Sequence, residues 1–461
     1  MKFYKYVLPC ALLLTMGCDP DPTPVDAGDT DAGMMMVDAG GDVDSAVPMG
    51  DGNDSFAEAD ALTVGGDAVM ARLGEPGDRD FYTFDGTAGQ WMILSTEANP
   101  DGDPDMADTV ITLYDSSMTM IAENDDSQPR FDTDSEIITR LPADGTYYVM
   151  VQEWSQWQNE MPFEGGSTYT YSLSVAALNL DAAAVTLDAE GGDDLASAQA
   201  LGYAEDTSDF GILVGDFRDD SDVDVFSFSV PAGKESVRFM MMPSGADQYG
   251  STTALNRMWI TNADGSETIS RINIAESDDP MVPRMTNMTP NLPAGDYNLF
   301  VENGGAPGAN GFYVLKAWRF STDNDPEATP DVNDDPTMAQ ALMFADDEGT
   351  DRGYIITRIG DGDTDHFSFD VTGTDRVSVF CGSATAGSGV QGLTAAIMDS
   401  TGATVIRMAT ETPPAAVSID EYDTGAGSFL LRLTKTGQDS EVTGNWARCQ
   451  VAVGPMTPPA P

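Results

Sequence analysis

The chain is short of most of what side-chain catalysis draws on. It has one histidine, His366, in 461 residues. A Ser/His/Asp site would have to use it, yet it takes the strand position held by Phe81 and Val225 in two related segments. Zinc sites need several His or Cys, and there is no Gly-x-Ser-x-Gly elbow. Asp423-Thr424-Gly425 matches the aspartic-protease tripeptide by letter, but that chemistry needs two facing aspartates. These absences predict a protein that is not an enzyme. Basic residues are scarce too: 21 Lys and Arg stand against 77 Asp and Glu, for a net charge of −56. Nucleic-acid binding needs clustered cations, so it is excluded. The balance suits a soluble surface and cation binding. After the first residues no run is apolar enough to span a bilayer, which takes about 20 apolar residues.

The N-terminus carries Lys2 and Lys5, then an apolar run from Val7 to Leu14. This reads as a signal peptide over residues 1–17. Thr15-Met16-Gly17-Cys18 resembles the bacterial lipoprotein processing box, although Thr15 stands where that box usually has Leu. The resemblance implies cleavage before Cys18, lipidation of Cys18, and attachment to a membrane through that lipid. The expected location is the cell envelope, at the outer membrane or cell surface rather than the inner membrane. Residues 18–50 repeat Asp-Ala-Gly and hold no aromatic residue. They read as a disordered, self-repelling tether.

Beyond the tether one pattern recurs three times. It opens with Asn53-Asp54-Ser55-Phe56, Asp193-Asp194-Leu195-Ala196, and Asn333-Asp334-Asp335-Pro336. Each opening leads to an Asp-x-Asp turn and an alternating strand: Asp78-Arg79-Asp80-Phe81, Asp222-Val223-Asp224-Val225, and Asp363-Thr364-Asp365-His366. Later comes a Pro/Gly turn feeding another strand, as in Leu141-Pro142 and Leu292-Pro293. The third copy keeps only the outline, around Gly425-Ala426-Gly427. Period-2 alternation between Gly, Pro, Asp and Asn clusters signals half-buried antiparallel strands. Units of about 120 residues, each able to bury one core, predict an all-β chain of three tandem jelly-roll-like sandwiches. The expected bounds are 51–178, 188–320 and 331–454, with a Pro-rich tail at 455–461. Cys381 shares strand parity with Val377 and Val379, and Cys449 with Val451 and Val453. Both are expected to face the core, where export permits a disulfide between them.

The ordered combination resembles the bacterial pre-peptidase C-terminal domain, a jelly-roll sandwich often appended to secreted peptidases. It comprises Asn-Asp-Ser with spaced alanines, Gly-Asp-x-Asp-x-aromatic-x-Phe, and Leu-Pro-x-x-Gly-x-Tyr. The first copy matches throughout; the second has Gly192 in place of the Asn, and the third lacks the Leu-Pro turn. The resemblance implies an accessory, non-catalytic role: binding an extracellular polymer, or serving a secreted peptidase or other hydrolase.

Calcium takes six to eight oxygen ligands, and two segments of each copy offer them. One is the opening, with Asp51, Asn53 and Asp54; Glu190 and Asp193; Asp331, Asn333 and Asp334. The other is the Asp-x-Asp pair: Asp78 and Asp80, Asp222 and Asp224, Asp363 and Asp365. In an extended segment the two carboxylates of such a pair point to one side. A structural calcium is therefore expected, first of all in the first copy. The acidic run Glu123-Asn124-Asp125-Asp126 reads as solvated loop charge, with a second cation site as the alternative reading. Trp154 and Trp157, in a polar loop after a strand, are the candidate ligand-binding aromatics.

Overall fold

The computed structural model describes residues 52–98, 107–127, 134–188, 192–204, 209–219, 221–242, 249–253, 255–273, 286–305, 310–320, 332–347, 350–413 and 415–455. The signal peptide, the tether, Cys18, Asp51, Glu190 and Asp331 lie outside them. Two compact units result. One is Met1–Ala182 with Gly245–Gly250; the other is Ala183–Ser244 with Ser251–Pro461.

Among the described residues nearly all regular structure is strand, in three pairs of sheets with one repeated order and a small two-stranded sheet of Val390–Gln391 and Gly437–Gln438. In the first sandwich the front sheet runs Asp60–Ala61, Arg79–Gly86, Gly145–Glu153, Thr109–Tyr114, Met120–Asn124. In the second it runs Gln199–Ala200, Val223–Val230, Gly295–Asn303, Leu255–Asn262, Thr268–Asn273, and in the third Gln340–Ala341, Asp365–Val371, Gly427–Thr434, Thr394–Asp399, Val405–Thr410. Each opening contributes a two-residue strand parallel to the acidic strand. Asp60 pairs with Tyr82, Gln199 with Phe226 and Gln340 with Phe367. The registers thus align the three copies residue by residue.

The back sheets follow the same rule. The first is Val69–Arg72, Thr170–Ala177, Trp91–Ala98, Glu136–Arg140. The second places Phe210–Asp216, Phe312–Phe320, Ser236–Met241 and Thr286–Met288 in that order, with Val185–Leu187 added at one edge. The third has Phe344–Asp347, Thr350–Arg358, Trp446–Gly454, Arg376–Gly382 and Val417–Tyr422. Alternate residues of both sheets fill each core. In the third, Phe367, Leu431 and Ile397 of the front meet Ile355, Val379 and Val451 of the back. In the second, Phe226, Leu299 and Ile260 meet Leu315 and Phe239. Cys381 and Cys449 lie opposite one another on adjacent back strands, are buried, and form the disulfide that parity predicts.

Within the second unit the two sandwiches are joined by main-chain hydrogen bonds. Arg271 N–H donates to Gly387 O (2.9 Å), Thr289 N–H to Ala386 O (3.0 Å) and Gly444 N–H to Ile269 O (2.9 Å). Arg271 also pairs with Asp439 and Glu441, each at 2.8 Å. Arg448 donates to Thr289 O (2.8 Å) and Ser236 Oγ (2.7 Å). Gly387 has φ 90°, and a side chain there would lie 2.6 Å from Ser270 Oγ, so only glycine fits this crossing.

Candidate functional site

The three Asp-x-Asp pairs occupy one place in the fold, and their two aspartates do different work. The first closes the turn. Asp78 accepts N–H groups from Gly74 (2.6 Å) and Arg79 (2.9 Å). Asp222 accepts them from Arg218 (2.7 Å) and Val223 (3.1 Å). Asp363 accepts them from Gly360 (2.8 Å) and Thr364 (2.9 Å). A short side-chain acceptor satisfies turn donors that no strand reaches.

The second aspartate is buried between the sheets. Asp80, Asp224 and Asp365 are at most 2% exposed. Each accepts a hydroxyl from the back sheet: Tyr171 to Asp80, Tyr313 to Asp224 (2.9 Å) and Thr357 to Asp365 (2.8 Å). Tyr82 and Tyr171 hydroxyls are also 2.8 Å apart. Burial, then neighbouring Tyr82 and the Asp80 charge, push the Tyr171 hydroxyl well above its usual range, so it stays protonated and donates. The hydroxyl has changed strands among the copies. Tyr171 faces Ala71 across the ladder and Tyr313 faces Gly215, whereas in the third copy Thr357 faces Ala447. A side chain at Gly215 would come 2.6 Å from the Tyr313 hydroxyl, so only one of the two facing positions can be large.

The openings pack against these strands through their backbones. Phe81 N–H donates to Asn53 O (2.9 Å), Val225 N–H to Gly192 O (2.7 Å) and His366 N–H to Asn333 O (3.0 Å). Asn53 and Asn333 are buried, while Asp54, Asp193 and Asp334 are exposed. His366 is 3% exposed, with Nδ1 3.1 Å from Asn333 O. It serves the opening.

Among the described residues, one set of three carboxylates converges within 4.8 Å: Asp193, Asp222 and Asp224, in the second copy. Arg218 lies against it, pairing with Asp193 and with Asp222 (3.0 Å). Those two bonds raise the Arg218 guanidinium further above its normal range. The position four residues before the first Asp is Gly74 in the first copy, so no arginine stands at that place there.

A second acidic group gathers around the run that ends in Asp125 and Asp126. Asp108, just before the strand Thr109–Tyr114, is crowded by Asp126, Glu153, Asp125 and Glu164. Burial first, then those charges, lift its carboxyl from 3.8 to about 8. Its Oδ1 is buried and has no hydrogen-bond partner among the described residues. Burial also raises Asp125 and Glu153. Asp125 and Asp126 are therefore half-buried members of this group, not the solvated loop charge that the sequence pattern suggests. The run Asp125-Asp126 is visible in the sequence, but Asp108, Glu153 and Glu164 reach it from other segments, so no local motif marks the whole group.

Trp154 and Trp157 form one helical turn, Trp154–Trp157, capped by Glu153 accepting the Ser155 N–H (2.6 Å). Both rings are half-buried. Trp157 Nε1–H donates to Glu123 Oε1 (2.8 Å), which ties the ring to the edge strand Met120–Asn124.

The match to a known family falls on the first sandwich. Residues 78–153 match the bacterial pre-peptidase C-terminal domain. A Deinococcus radiodurans protein named "Probable subtilase-type serine protease" is 36% identical over 100 residues, which are 22% of this chain and 13% of that relative. The chain thus spans a small part of that protein's length. The pre-peptidase C-terminal domain of a Bacillus anthracis collagenase is 20% identical; the match covers 26% of this chain and 94% of that one, with a TM-score of 0.20.

Proposed function

We propose that this is a non-catalytic module of the bacterial cell envelope, held by a lipid on Cys18, that binds or accompanies rather than transforms. The observation that carries the reading is the match of residues 78–153 to a domain named for its company with peptidases. The buried setting of His366 supports it, since the chain's one imidazole is occupied with the opening of the third copy. Its work would be to serve as accessory or targeting part for a secreted hydrolase, or to scaffold an extracellular polymer. Loss of palmitate labelling on Cys18→Ala, with release of the chain from membranes, is the expected result for the anchor. Unchanged labelling would overturn it.

Calcium is proposed as a structural ligand of the first sandwich. The donor chemistry fits, because Asp108 Oδ1 is a buried acceptor without a donor, among carboxylates whose mutual repulsion a divalent cation relieves. Asp54, Asp78 and Asp80 are the other candidates, with Asn53. In the second copy the Arg218 guanidinium already pairs with Asp193 and Asp222, the counterparts of Asp54 and Asp78. Calorimetric titration with calcium, with melting followed in calcium and in chelator, tests this. Saturable binding that Asp108→Asn or Asp54→Ala abolishes is expected, and the variant that does so identifies the group used. Flat heats with unchanged melting would overturn the reading.

A further inference from the structure

We propose that Glu411 locks the joint between the second and third sandwiches, by holding in shape the turn through which the third bonds the second. Glu411 is the first residue beyond the edge strand Val405–Thr410, and its N–H donates to Leu393 O (2.7 Å). It is 3% exposed. Its carboxylate meets the one-turn helix Ala384–Ala386, which comes just after the back strand Arg376–Gly382. Such a turn leaves its first N–H groups without partners of its own, and Ser383 at its start gives no side-chain cap. Glu411 supplies the missing acceptor. It takes the N–H groups of Ser383 (3.0 Å), Ala384 (3.3 Å) and Thr385 (2.9 Å), and the hydroxyls of Ser383 and Thr385, the latter at 2.6 Å.

The other end of the turn engages the second sandwich. Ala386 O accepts the Thr289 N–H (3.0 Å), and Gly387 O accepts the Arg271 N–H (2.9 Å) and the Ser270 hydroxyl (2.9 Å). Ser270 and Arg271 lie on the edge strand Thr268–Asn273, and Thr289 comes just after the strand Thr286–Met288. A carboxylate at one end and a neighbouring sandwich at the other thus grip the same short segment, 383–387. An ionised carboxylate only accepts hydrogen bonds, and its bonds are stronger than those between neutral groups. Without it, the N–H groups of Ser383, Ala384 and Thr385 lose their shared acceptor in a buried setting. The turn must then open toward water, which carries Ala386 and Gly387 off the edge strand. Glu411 therefore acts on the joint through the turn, although it touches no residue of the second sandwich in any of these bonds.

The test is native-state hydrogen exchange on the full chain, read at the amides of Arg271 and Thr289. Glu411→Gln sets an amide donor among the donors of the turn. Protection of both amides should fall about tenfold, while Leu299 and Leu431 in the two cores keep the parent's values. Gly387→Ala breaks the crossing directly, because a side chain there would lie 2.6 Å from Ser270 Oγ. It should release the same two amides and leave the Thr385 amide protected, whereas Glu411→Gln should release all three. Unchanged exchange at Arg271 and Thr289 in Glu411→Gln would overturn the proposal. So would an equal loss at Leu431, which would make Glu411 a support of the whole third sandwich. If Glu411→Gln does not fold, Thr385→Val decides: it removes one hydroxyl donor, and a smaller loss confined to the turn and the two joint amides is expected. No loss, or loss spread through the third core, would overturn the lock.

Discussion

The chemistry of Asp108 departs far from what its type implies. A carboxyl lifted from 3.8 to about 8 holds its proton in the folded chain while the unfolded chain has lost it. Folding therefore takes up a proton between those values, and stability falls as pH rises through that window. Above it the penalty is complete. Asp108→Asn removes the titration while keeping the shape. In chelator it should stabilise the first sandwich at about pH 8 by roughly 1–3 kcal/mol, and have little effect near pH 4. Denaturant melts at the two pH values check this, and an equal effect at both would show that Asp108 ionises normally. Nothing local to Asp108 in the sequence signals this, because its neighbours Asp125, Glu153 and Glu164 arrive from other segments.

Between elements, the recurring link is a hydroxyl from the back sheet on a buried carboxylate of the front. The Asp-x-Asp spacing was readable as a turn followed by a strand. The partners were not, since Tyr171 and Tyr313 lie 91 and 89 residues from their aspartates. The third copy makes the constraint plain, because Thr357 supplies the hydroxyl from the strand that elsewhere offers Ala71 or Gly215. The geometry sets a back-sheet hydroxyl on each aspartate and is indifferent to which strand brings it. Tyr313→Phe keeps the ring and removes the donor, leaving Asp224 short of a hydrogen bond in a dry core. It should cost about 1–3 kcal/mol in chemical denaturation. Thr357→Val should do the same to the third sandwich. A neutral result for both would mean that these aspartates are protonated and donate elsewhere. Trp157 teaches a related lesson: its polar surroundings in sequence suggest a free loop, but Glu123 on the edge strand claims its indole N–H.

Across the whole molecule, the second unit holds two sandwiches joined by shared backbone hydrogen bonds and the Arg271 and Arg448 contacts. Such a joint couples their unfolding, so calorimetry should record one transition for both. Reducing the Cys381–Cys449 bond, which closes 68 residues, should lower that shared transition by about 4 kcal/mol in the chain-entropy model. If only a fraction of the second unit's enthalpy shifts, the two sandwiches unfold separately.

The sequence by itself determined the fold class, the three recurrences and the disulfide. Each follows from period-2 alternation and parity, which act over a few residues and survive wherever one strand face is buried. It also determined the scarcity of catalytic groups and the acidic balance, which are matters of composition. Tertiary structure alone decided what the acids touch. It set hydroxyls against Asp80, Asp224 and Asp365, put Arg218 beside the second copy's triad, and gathered the group around Asp108. These depend on which strands become neighbours and in what register, and that pairing joins residues too far apart in the chain for any local pattern to record.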